Sequence, residues 1–130
     1  MTDATDTDAR EGQSELLAIS NAVVRLYKEQ LGRGPTRARS HYAGRDIIIV
    51  SLENTMVPAE RKLVELGEAR RMAESRLLMM QGAESEFCEA VEQITGRQIR
   101  AMVCGMAAES DISTKVFYLE PQEHEGSDAG

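Results

Sequence analysis

Arg33, Arg37, Arg39 and Arg45 stand close together in the stretch LGRGPTRARSHYAGRD, residues 31–46, with Arg25 and Lys28 just ahead of them. Glu29 is the one acid between residues 25 and 45. Guanidinium groups grip phosphate or carboxylate through paired N–H donors, so arginines at this density can hold an anion. The Gly32–Arg33–Gly34–Pro35 bend could add backbone N–H donors, in the manner of a small anion nest. Arg33, Gly34, Arg37, Arg39, His41 and Arg45 are therefore the candidate contacts for an anion or a partner. Neither G-x-x-x-x-G-K-[ST] nor a strand-bound G-x-G-x-x-G occurs, so a nucleotide fingerprint is missing. Arginines alternating along a strand also suit a solvated face, or one that meets acids on a neighbour. Glu84, Glu86, Glu89 and Glu92 are natural partners of that kind, within the chain or across a dimer.

Elsewhere the residues that could do chemistry are few. His41 and His124 are the only histidines, and Cys88 and Cys104 the only cysteines. They form no ligand spacing, so neither a metal site nor a cofactor is expected. Pairing Cys104 with His41 as a nucleophile has only composition behind it, and Cys104 reads as a small core residue. No catalytic residue is nominated, and the chain reads as a non-enzyme. Aromatic residues make up 4% with no Trp, which disfavours a stacking platform for single-stranded nucleic acid. The basic cluster alone is permissive for nucleic acid, not diagnostic of it.

The elements that must position these residues follow from periodicity. At 130 residues the chain suits one domain with a real core. Leu16, Ile19, Val23, Leu26 and Tyr27 recur at helical spacing over 14–31, with Ser14 as a cap and Gly32 as a stop. TRARSHY, the turn AGRD and the β-branched run 47–52 predict a hairpin, with Arg37, Arg39 and His41 on one side and Ala38, Ser40 and Tyr42 on the other. Pro58 opens a helix that runs to about Met80, with Leu63, Leu66, Ala73, Leu77 and Met80 along one stripe. Gly67 marks a kink or a close crossing within it. A third helix covers 84–94, with Phe87, Val91 and Ile94 inward. RQIRAMVCGM and STKVFYLE predict a second hairpin around AAESDI. The expected architecture is α+β, in the order α-β-β-α-α-β-β: a four-stranded antiparallel sheet from two hairpins, with three helices packed on it. KEQLGRG and EQITGRQ, each ahead of two strands, also suggest one helix–strand–strand unit used twice. The sheet's other face needs cover too, and a homodimer is one way to supply it.

The net charge of −7 belongs to the ends. Residues 1–11 and 120–130 hold 8 of the 22 acids and 1 of the 15 bases, so the body between them carries 14 of each sign. Residues 1–12 and 122–130 read as disordered acidic tails around a domain spanning 13–121, because they offer almost nothing apolar to bury. The longest strongly apolar run, Ile47 to Val50, is far short of the roughly 20 residues of a spanning helix. No charged stretch followed by an apolar one opens the chain, so a cytoplasmic protein is expected.

Three stretches carry a resemblance: LGRGP, VSLENTMVPAERKLVELGE, and ITGRQIRAMVCGMAAESDISTKVFYLEP. In order and spacing they resemble the MpsC-like family, named for a Na+-translocating membrane-potential-generating system and formerly a domain of unknown function. The resemblance covers residues 13–121. It implies a soluble component that works with integral-membrane partners linked to cation translocation and inorganic-carbon supply, peripheral at the inner membrane through a protein partner. It transfers no catalytic residue. The expected role is a non-enzymatic accessory or regulatory subunit of a membrane cation or bicarbonate system, with no insertion into the membrane. The alternative is a small-anion or nucleic-acid binding module that uses the hairpin at 33–45.

Overall fold

A long helix, α1 (Ala4–Leu31), leads into the first hairpin, β1 (Arg37–Tyr42) and β2 (Ile47–Glu53). The computed structural model describes residues 4–122, with side chains from Gly12 onward. Helix α1 buries Ile19, Val23, Leu26 and Tyr27, the expected stripe, and ends where Gly32 adopts φ +84°. Its backbone begins ten residues ahead of the expected Ser14 start. Once a helical nucleus exists, each added residue needs only one more hydrogen bond, so residues 4–12 are helical where a tail was expected. The tail expectations for 1–3 and 123–130 lie outside the described residues.

The run expected as a single helix from Pro58 to Met80 is two, α2 (Pro58–Glu65) and α3 (Ala69–Gly82). Gly67 at φ +84° ends the first, a left-handed conformation that glycine adopts without steric cost. Breaking the helix resets its phase. Leu63 and Leu66 are exposed, and the buried stripe of α3 is Met72, Arg76 and Met80 rather than Ala73, Leu77 and Met80. With α4 (Glu84–Thr95) the described residues hold four α-helices, in the order α-β-β-α-α-α-β-β, where three were expected. Helix α4 buries Phe87 and Val91 and stops at Gly96, φ +72°.

Strands β3 (Ile99–Ala107) and β4 (Ile112–Leu119) form the second hairpin, joined through a 3₁₀ turn, Ala108–Ser110, and Asp111 in the left-handed region. The four strands make one antiparallel sheet in the order β1-β2-β4-β3, so the two hairpins meet through their second strands. Helices α1 and α4 pack on one face. Beneath them Ile48, Val50, Leu52, Phe117 and Leu119 join Ile19, Val23, Tyr27, Phe87 and Val91 in the main core. Burying one such side chain fully stabilises the fold by about 1.5–3 kcal/mol. A smaller cluster, Met56, Met72 and Ala108, lies under α3. No helix covers the opposite face of the sheet among the described residues.

Each half is tied by the same device. The arginine after the helix-ending glycine turns back to a main-chain carbonyl just beyond its own hairpin: Arg33 Nη1 donates to Met56 O at 2.8 Å, and Arg97 Nη2 to Glu120 O at 2.9 Å. The likeness of KEQLGRG and EQITGRQ thus has a structural counterpart.

Candidate functional site

The six residues singled out in the hairpin fall in three places. Arg33 is half-buried and occupied by its bond to Met56. A Cβ at Gly34 would stand 3.1 Å from Lys28 Cγ and 3.2 Å from Val24 Cγ1, so glycine lets this loop lie close against α1. Arg37, Arg39 and His41 are exposed on the uncovered face of β1, opposite Glu53, Ser51 and Ile49 of β2. Arg45 sits in the turn at the far end. A six-residue strand is roughly 20 Å long, so the four guanidinium groups do not converge on one ligand. Nor do they meet the acids of α4. That helix packs on the opposite face of the sheet, and the described ion pairs include none between the two groups.

The uncovered face has a graded relief. Edge strand β1 raises Arg37, Arg39 and His41 from it, the middle offers Ile49, Val116 and Tyr118, and edge strand β3 contributes Ala101, Val103, Gly105 and Ala107. Val103 is 53% exposed and Tyr118 37%. Glu53 is the one carboxylate that the strands place there. The surface is apolar in the middle and basic along one edge.

At the hairpin turn a cleft of about 440 Å³ is lined by Glu15, Tyr42, Arg45, Thr95 and Arg97 among others. Tyr42 donates to Glu15 Oε1 at 2.6 Å; burial, then the carboxylate, pushes its hydroxyl up to about 12. Arg97 is nine-tenths buried, pairs with Asp46 at 2.5 Å and donates to Arg45 O at 2.8 Å, while its Nε is buried without a partner.

Two buried cations were not singled out in the sequence. Arg76, 1% exposed, forks onto Glu60 at 2.5 and 2.9 Å and donates to Thr55 Oγ1 at 2.8 Å. Glu60 also accepts from Val57 N–H at 3.0 Å, so one carboxylate caps α2 and neutralises α3. Asp111 accepts from the N–H groups of Thr55 and Met56 at 2.9 and 3.3 Å, with Arg61 on its outer side at 3.3 Å. This network joins the exit of the first hairpin to the turn of the second. Lys115, also 1% exposed, points inward from β4. Its Nζ lies 4.1 Å from the Phe87 ring centre, 5.3 Å from that of Tyr27, and 3.5 Å from Cys104 Sγ. Burial lowers the Lys115 ammonium pKa below its ordinary 10.5, and burial pushes the Tyr27 hydroxyl up to about 12.

The profile of the family described as the Na+-translocating membrane potential-generating system (MpsC) matches residues 12–121. The chain belongs to the MpsC family. No curated protein and no solved structure matches it. Among the described residues of this MpsC chain no helix is long and apolar enough to cross a membrane. Nor, among them, does any group of three or more His, Cys, Asp and Glu side chains stand where it could hold a metal ion.

The signals for the two buried cations were present in the sequence. Arg76 lies four residues from both Met72 and Met80, on one helical stripe. Lys115 lies two residues from Phe117, and strand alternation turns both to the same side. A charged residue on an otherwise apolar stripe is the pattern to look for.

Proposed function

We propose that this MpsC chain is a non-enzymatic accessory or regulatory subunit of a membrane cation or bicarbonate system. It sits on the cytoplasmic side and is held at the inner membrane by an integral, transporter-type partner. The observation that carries this reading is the family match over residues 12–121, nearly the whole described body. The uncovered sheet face is the surface on offer. Arg37 and Arg39 stand on it against the single carboxylate Glu53, which suits an acidic, partly apolar cytoplasmic segment of the partner. Charge complementarity of this kind steers encounter and fixes register more than it adds affinity. Removing the chain from cells is expected to lower the Na+-dependent membrane potential and growth that depends on external bicarbonate, and re-expression to restore both. Unchanged potential and growth would overturn the proposal.

A second reading, a small-anion module, draws on the turn cleft, where Arg45 and Arg97 stand together and Arg97 Nε has no partner. Glu15, on the same wall, counts against it. Phosphate or bicarbonate would then raise the melting temperature saturably, and Arg45→Glu would abolish the rise. A flat response removes this reading and leaves the first standing.

A further inference from the structure

Cys104 and Lys115 are cross-strand partners in the β3–β4 register, and both point into the helix-covered side of the sheet. Directly opposed residues on one face hold their Cβ atoms about 4.5–5.5 Å apart. Here the longer side chain brings its amine to 3.5 Å from the sulfur, the one hydrogen bond that the amine makes among the described residues. The rings of Phe87 and Tyr27 flank the amine and fix its place.

The two groups differ in access. Lys115 is 1% exposed, so no solute reaches its nitrogen directly. Cys104 is half-buried and lines a cleft of about 410 Å³ with Leu77, Gln81, Glu84, Met102 and Val103. A small oxidant can meet the sulfur there, and whatever forms on the sulfur then faces the amine. Cys88, the other thiol, is a poorer target: burial and the nearby Glu84 and Glu92 raise it to about 11, which suppresses the reactive thiolate.

The geometry points to Cys104 and Lys115 as an oxidative modification site, in which hydrogen peroxide converts the thiol to a sulfenic acid and Lys115 captures it. In the first step Sγ attacks a peroxide oxygen. The S–O bond forms, the O–O bond breaks, and the departing hydroxide takes the thiol proton and leaves as water. In the second step the Lys115 lone pair attacks Sγ. The S–N bond forms, the S–O bond breaks, and the hydroxide leaves as water with a proton from nitrogen. The net change joins one thiol, one amine and one peroxide into a sulfenamide and two waters, with sulfur oxidised by two electrons and peroxide reduced. Sulfenic acids condense with backbone nitrogen in the same way. A side-chain amine needs its lone pair free, and desolvation, reinforced by the Arg76 guanidinium, favours the neutral form that supplies it. The Cys104 sulfur, by charge and by its hydrogen bond, works against this shift. The bridge would staple β3 to β4 and remove a buried amine, while sparing Cys104 from irreversible oxidation.

The test is peptide mass spectrometry of the folded full chain after brief treatment with hydrogen peroxide, with dimedone as a probe for free sulfenic acid. The expected result is a species joining the peptides of Cys104 and Lys115, lighter than their sum by two hydrogens and opened by a thiol reductant. Dimedone should leave wild-type Cys104 unlabelled. In Lys115→Met, a packing-compatible change, dimedone should label Cys104, which then proceeds to sulfinic acid. Cys88→Ser should keep the bridge and Cys104→Ser should lose it. The wild-type and Cys88→Ser chains read the bridge directly, whatever the fate of the lysine variant. Sulfinic acid forming as readily in the wild type as in Lys115→Met, or a Cys88–Cys104 disulfide in place of the bridge, would overturn the assignment.

Discussion

The N-terminal half (α1, β1, β2) and the C-terminal half (α4, β3, β4) follow one plan, and they differ in where they keep charge. In the first half the inward residues of the central strand are Ile48, Val50 and Leu52, all apolar and fully buried, while Arg37 and Arg39 stand outside on the edge strand. In the second half the central strand turns Ser113 and Lys115 inward beside Phe117 and Leu119, and the edge strand turns Ala101, Val103, Gly105 and Ala107 outward, with Arg100 exposed at its irregular start. The first half thus keeps the cations of its strands outside, and the second holds Lys115 within the core. A hairpin fold needs an apolar stripe from each half, but not a complete one. The part that folding leaves free is used differently in each.

The sharpest ways to break this comparison lie in the shared core. Phe87→Ala and Phe117→Ala should each lose about 3–5 kcal/mol in denaturant melts, since both rings are fully buried. Glu60→Ala should cost about as much, roughly 3–5 kcal/mol, because it leaves Arg76 buried without its carboxylate. Wild-type midpoints in any of these would mean that the core or its network is misassigned.

A smaller effect of opposite sign separates the halves. Replacing Lys115 by Met removes a buried amine that no carboxylate pairs among the described residues, so stability should rise by about 1 kcal/mol or more. The pH dependence has a definite sign. The folded state binds the Lys115 proton less tightly than the unfolded chain does, so wild-type stability should climb with pH from the lowered folded value toward the ordinary 10.5. Lys115→Met should lack that climb. Above pH 10 stability should fall in both proteins. Tyr27 and Tyr42 keep their protons to about 12 when folded and lose them near 10 when unfolded, so the stability they contribute falls away through that interval. Smallest of all, Arg37→Ala and Arg39→Ala should change stability by no more than about 0.5 kcal/mol, because both side chains are exposed on an edge strand.

Much of this fold could be read from periodicity. The stripe of α1, the alternation that puts Arg37, Arg39 and His41 on one side of β1, and the glycine stops at 32 and 96 all depend on local rules. The split at Gly67 was visible as a glycine but not as a break, because isolated glycines are tolerated inside helices at a cost of about 1 kcal/mol. Mistaking the phase beyond it hid Arg76. Lys115 is hidden differently: charged residues are almost never fully buried without a paired charge, and that rule runs against the alternation that places it beside Phe117. The dispersal of the arginines over three places is a matter of tertiary direction, which spacing along a strand does not fix.

The central claim, that this MpsC chain serves a membrane partner through its basic sheet face, is tested most directly by affinity capture from crosslinked membranes at low salt. Wild-type chain and Arg37→Glu/Arg39→Glu would be compared side by side, with equal melting temperatures checked first. The account expects the wild type to return one multi-spanning protein and the double variant to lose it, since the reversed charges repel where the native ones attract and low salt screens least. Equal capture by both chains, or recovery of nothing beyond further copies of this chain, would contradict it.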